Sequence, residues 1–87
     1  MHELSLMANL MRKIEDTARQ SGGVIVTRVR LRFGALAHTS PEHFREHFER
    51  ASQGTLAEGA VLEIVHSNDL TDAHAQDILL ESVEIGE

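Results

Sequence analysis

The stretch MHE at positions 1–3 sets an α-amine, an imidazole and a carboxylate side by side. A bulky second residue disfavours removal of an initiator methionine, so Met1 is expected to stay, with a free amine beside His2. That amine, the His2 amide nitrogen and an imidazole nitrogen of His2 can close two fused chelate rings around one ion. Ionising a peptide nitrogen is costly. An ion that prefers square-planar nitrogen, Ni(II) or Cu(II), offsets the cost, whereas Zn(II) has no such preference. The fourth position would fall to the Glu3 amide, the Glu3 carboxylate or an approaching side chain such as His38. The plainer reading of the same residues is that His2 and Glu3 open a helix, with Glu3 complementing its dipole. On residue types alone the plainer reading is the better one.

Two further groups could do chemistry. HFREH, His43 to His47, spells an inverted zinc-peptidase signature, with His43 and His47 as ligands and Glu46 as general base. Residues four apart are neighbours on a helix, so the spacing is sound. Peptidase chemistry also needs a third protein ligand, an open coordination position and a cleft, which a domain this small has little room for. Metal binding without catalysis is the milder reading. The second group, His66, Asp69, Asp72, His74 and Asp77, mixes hard carboxylates with imidazoles. It has neither the turn glycine nor the closing glutamate of a calcium loop, which makes a solvated acidic loop the simpler reading.

The elements that must position these groups are legible from periodicity. Leu4, Met7, Leu10, Met11, Ile14 and Ala18 recur at helical spacing, predicting an amphipathic helix over residues 3–20 that the glycines of SGG end. VIVTRVRLRFG switches to period two. Ile25, Thr27, Val29, Leu31 and Phe33 are expected on a dry face, and Arg28, Arg30 and Arg32 on the other. Three arginines in a row could serve as an anion or RNA platform. Without interleaved aromatics, pairing with Glu63, Glu81 or Glu84 on neighbouring strands is the better expectation. SPEHFREHFERASQG carries the marks of a second helix: Ser40 as N-cap, Pro41 in its first turn, Glu42 at its positive end and Gly54 beyond its close. Phe44, Phe48 and Ala51 should form its core stripe. AVLEIV (60–65) and ILLESVEI (78–85) read as strands, and the polar segment 66–77 as a loop. The order α-β-α-β-β predicts an α+β two-layer domain, with two helices on one face of a small three-stranded mixed sheet.

Composition narrows the classes. Eighty-seven residues hold one small domain, and a net charge of −6 argues against general nucleic-acid or anionic-membrane binding. With no cysteine, disulfides, thiolate zinc sites and cysteine catalysis are excluded. No apolar run approaches a membrane span and no secretory leader is evident, so a cytoplasmic protein is expected. A core with three phenylalanines as its only aromatics is small, and docking onto a partner or into a homo-oligomer would add to its stability.

Taken together in order, MHELSLM, LRFGAL, SPEHFREHFE, GTLAEGAVLEI and the closing LLESVEI resemble the HypA/HybF family of nickel metallochaperones. The resemblance runs over residues 1–65 and again over 78–87. It implies a single nickel-binding domain over residues 1–87, with Met1, His2 and Glu3 as the metal site and His2 the principal ligand. It further implies a non-enzymatic carrier of Ni(II) for a client apoenzyme, such as the large subunit of nickel-iron hydrogenase, working with a maturation GTPase. The family normally inserts a zinc ribbon with two C-x-x-C pairs before the last strand. Here residues 66–77 stand in its place without a cysteine, so no structural zinc is expected. The rival reading keeps the fold as an adaptor or subunit that binds a protein partner and moves no metal.

Overall fold

The computed structural model describes residues 2–23, 25–37 and 40–86, with the backbone alone for residues 2–5. Its elements are α1 (His2–Gln20), β1 (Ile25–Phe33), α2 (Pro41–Ser52), β2 (Val61–His66) and β3 (Ile78–Gly86). β1 is the central strand, parallel to β2 and antiparallel to β3, in the order β2-β1-β3. Both helices contribute to one core beneath this mixed sheet, which is the expected α+β arrangement.

α1 buries Met7, Leu10, Met11, Ile14 and Ala18, a row at the three-and-four spacing that makes one apolar stripe. Its end is a Schellman motif. The Gly23 N–H donates to the Ala18 carbonyl at 2.8 Å and the Gly22 N–H to Arg19 at 3.0 Å. Gly22 takes the left-handed conformation this requires, at φ 75°. At the start of α2 the Ser40 hydroxyl accepts from the His43 N–H at 3.1 Å, with Pro41 in the first turn, as its sequence predicts. Phe44 and Phe48 are buried from this helix, and Phe44 meets Phe33 of β1 edge to face at 5.4 Å. Ala51 packs against the core as expected, partly buried, and Ser52 beside it is buried more deeply. Ser52 tolerates burial because its hydroxyl donates to the Glu49 carbonyl at 3.1 Å.

β1 departs from simple alternation. Val29, Leu31 and Phe33 face the core as expected, but Ile25 and Thr27 are exposed and Val26 is buried. The cause is a β-bulge. Val26 pairs with Ile85 and Arg28 with Glu84, so Thr27 is an extra residue that shifts the side-chain phase by one. A compensating extra residue, Glu81, lies in β3 between the pairs Arg30–Ser82 and Leu31–Leu80. It brings the Glu81 carboxylate to Arg30 at 3.3 Å and to Arg32 at 2.6 Å.

The segment between β2 and β3 is only partly the solvated loop expected of it. Leu70 is 65% exposed, but Ala75 is buried. The Leu36 N–H donates to the Ala75 carbonyl at 2.7 Å and the Gly34 N–H to Asp77 at 2.9 Å, carrying the β1–β3 contact beyond the strands. Gly34 makes this approach close, since a Cβ there would sit 2.2 Å from the Ala75 carbonyl oxygen.

Candidate functional site

α1 begins at His2, so the MHE stretch runs into its first turn. First-turn amides have no acceptor within the helix. An amide nitrogen taken up by a metal there costs no helical hydrogen bond. Met1 and His38 lie outside the described residues, as do the side chains of His2 and Glu3. The nearest described neighbour of His38 in sequence is the 34–37 turn, held by its bonds to Ala75 and Asp77.

His43 and His47 stand on α2 as their spacing predicts. His43 is exposed and His47 half-buried, with ring centres 5.0 Å apart and planes tilted by 35°. Glu46 is exposed beside them. Among the described residues no three His, Asp or Glu side chains converge as a metal cage. A groove runs along α2, but it is lined by Arg45, Phe48, Glu49, Ser52, Val61 and Leu62, not by the HFREH histidines. Neither a third ligand nor a cleft accompanies Glu46, so peptidase geometry is not assembled among the described residues.

The acidic loop spends its carboxylates locally. Asp69 accepts from the Thr71 N–H at 2.9 Å and its hydroxyl at 2.7 Å, and Asp72 accepts from the His74 N–H at 3.0 Å. The Thr71 hydroxyl bond, then the Thr71 backbone bond, hold the Asp69 carboxyl below its ordinary 3.8. Asp77 pairs with the His74 ring at 3.0 Å. His66 ends β2 with its ring against Phe33, 5.7 Å between centres. These groups serve turns and packing rather than one ion.

The arginine face is paired, as the spacing suggests. Arg28 lies 3.9 Å from Glu63 and 3.7 Å from Glu84, and Arg30 3.9 Å from Glu63. With Glu81 bridging Arg30 and Arg32, three cations and three anions interleave across the outer sheet surface. That arrangement suits solvent better than nucleic acid. What sequence reasoning missed is the docking of 34–37 onto 74–77. Its one signal was Gly34, at a position where no turn requires it.

The profile described as "Hydrogenase/urease nickel incorporation, metallochaperone, hypA" matches residues 1–74. The chain belongs to the HypA family. Among its relatives, the hydrogenase maturation factor HypA of Acidithiobacillus ferrooxidans is 51% identical over 65 residues, 75% of this chain and 58% of that protein. HypA of Methylocella silvestris is 44% identical over 64 residues, 74% of this chain and 57% of its own. The chain thus spans somewhat over half the length of these curated HypA relatives. The fold is shared with the solution structure of the Ni metallochaperone HypA from Helicobacter pylori, at a TM-score of 0.80 and 17% identity, covering 95% of this chain and 96% of that one. A second solution structure of a HypA protein gives a TM-score of 0.75 at 19% identity, over 98% and 96% of the two chains. HypA is a family of metallochaperones rather than catalysts, and nickel is the metal its description carries. No helix among the described residues is long and apolar enough to cross a membrane.

Proposed function

We propose that this HypA-family chain is a non-enzymatic Ni(II) carrier that holds its cargo at Met1, His2 and Glu3 and passes it to a nickel-enzyme apoprotein. The observation that carries the reading is that the nickel-incorporation profile aligns from residue 1, so the chelating trio falls inside the matched segment. The chemistry supports it. The Met1 amine, the His2 amide and the His2 imidazole make a planar nitrogen set, Glu3 or His38 supplies the fourth donor, and the His2 amide ionises most readily for a d⁸ or d⁹ ion. The positive end of α1 opposes a cation by about 0.3–1 kcal/mol, and the ionised amide together with the Glu3 carboxylate offsets it.

The client is a nickel-enzyme apoprotein such as a hydrogenase large subunit, reached with a maturation GTPase in the cytoplasm. The whole of residues 1–87 acts as one nickel-binding domain, with residues 66–77 as the loop in place of a zinc ribbon and no structural zinc. Elemental analysis of the protein as purified should therefore find no stoichiometric zinc in a chain that is nonetheless folded.

The deciding experiment is a Ni(II) titration of the native chain, His2→Ala, and a chain with one extra residue before Met1. Both changes should abolish tight, stoichiometric binding without unfolding the domain. Nickel binding that survives the extension would remove the terminal chelate and leave the adaptor reading in its place.

A further inference from the structure

We infer that the free edge of β2 is a strand-accepting surface that fits a second copy of this chain, and that Arg45 holds it closed. The hydrogen-bond ladder locates that edge. The Ser67 N–H donates to the Phe33 carbonyl at 2.9 Å, so residue 67 turns its backbone toward β1. At every second position before it, Val65, Glu63 and Val61 do the same. Leu62, Ile64 and His66 turn their amides and carbonyls the other way, where no strand lies among the described residues. The segment VLEIVH is rich in β-branched residues, and Val61 is 55% exposed. A bare edge of this composition invites pairing with another chain.

The edge is complementary to itself. Antiparallel pairing of two copies about Ile64 sets Leu62 against His66 of the second copy, Ile64 against its own counterpart and His66 against Leu62. Every outward amide and carbonyl then meets one from the other copy. Glu63 falls opposite Val65, so no carboxylate faces another.

One contact stands in the way. The Arg45 guanidinium donates to the Leu62 carbonyl, a group that the second strand needs. Phe44 and Phe48 are buried and fix the rotation of α2, which carries the intervening Arg45 to the β2 side. There it lines one groove with Phe48, Val61 and Leu62, so its stem and its charge cover the start of the edge. The opposite edge, β3, is blunted by a different device, the extra residue at Glu81.

The test compares full chains: native, Arg45→Met, Arg45→Ala and Arg50→Met. Methionine keeps much of the apolar stem and loses the donors and the charge, so the groove stays filled. Sedimentation velocity and amide exchange are followed from micromolar to millimolar protein, with circular dichroism as the check on folding. Each native copy must give up one charge-assisted hydrogen bond to pair, so its removal should strengthen self-association by about a hundredfold. In Arg45→Met and Arg45→Ala the Ile64 and His66 N–H groups should gain protection as concentration rises. In the native chain and in Arg50→Met, altered on the same helix away from the edge, both should exchange freely throughout. His66→Pro added to Arg45→Met deletes one outward donor without touching a bond to β1, and should return the chain to native behaviour. A folded Arg45→Met chain that associates no more strongly than the native one would overturn the inference. So would protection that appears at Val83 and Ile85 of β3 instead, or association that survives His66→Pro. Native Ile64 and His66 amides already protected at micromolar concentration would show that Arg45 closes nothing.

Discussion

Gly34→Ala is the sharpest probe of how the 34–37 turn is held. An added methyl at this position would lie 2.2 Å from the Ala75 oxygen, 2.5 Å from the Ala75 carbonyl carbon and 2.5 Å from the His74 oxygen. All three are backbone atoms, so no side chain can swing aside, and segment 74–77 must move. That movement breaks the bonds from Gly34 to Asp77 and from Leu36 to Ala75, and exposes the buried Ala75 methyl. Two hydrogen bonds at about 1 kcal/mol each and a small apolar burial of about 0.5–1 kcal/mol amount to roughly 2–3 kcal/mol. A domain of this size is stable by roughly 4–13 kcal/mol. The variant should therefore still fold, with a melting temperature lowered by about 10–20 °C. Thermal unfolding followed by circular dichroism measures this. Amide exchange then locates it, since the Leu36 N–H should lose protection while the Val29 N–H keeps it. Leu70→Ser, in the exposed part of the same loop, is the control and should be neutral. A Gly34→Ala melting curve that superimposes on the parent would show that 74–77 is not docked and that the segment is solvated along its whole length.

Ser40→Ala removes the acceptor of the His43 N–H and should cost about 0.5–2 kcal/mol, read as a lowered urea midpoint with an unchanged slope. Glu81→Gln weakens two of the arginine contacts at a half-exposed site, so its cost should stay under about 1 kcal/mol and vanish in molar salt. Asp69 has a folded pKa below 3.8, so its small contribution is present above that value and fades as pH falls through the lower, folded one. A carboxyl-carbon NMR titration should show Asp69 ionising below 3.8, and Thr71→Val should return it toward that value.

How much of this was legible depends on whether the cause was local. The second helix was readable because Ser40, Pro41, Glu42 and the Phe44/Phe48 row act within a few residues of one another. The phase of β1 was not, because the extra residue at Thr27 is defined only by pairing with β3, more than fifty positions away in sequence. The docking of 74–77 was hidden for a related reason. Bonds between backbone groups leave no side-chain signature, and the polar residues around Ala75 describe the loop's surface rather than its attachment. The arginine row was read correctly because charge pairing across strands uses side chains that the sequence names. At the candidate metal site the order of legibility reverses. Met1, His2 and Glu3 are proposed from donor chemistry and family resemblance, with Met1 and the side chains of His2 and Glu3 outside the described residues, and His43 and His47 were singled out by spacing. Fold geometry places the second pair on α2, His43 exposed and His47 half-buried.

The interleaved arginines and glutamates of the outer sheet have an electrical consequence for the molecule as a whole. Arg28, Arg30 and Arg32 cancel Glu63, Glu81 and Glu84, so the entire net charge of −6 resides on the other side chains. The protein is two-sided in solution, with a nearly neutral sheet surface and an anionic remainder on helices and loops. A diffusing cation is drawn toward that remainder. A partner of either sign can meet the sheet surface without long-range repulsion, and its rate of encounter there should depend little on ionic strength.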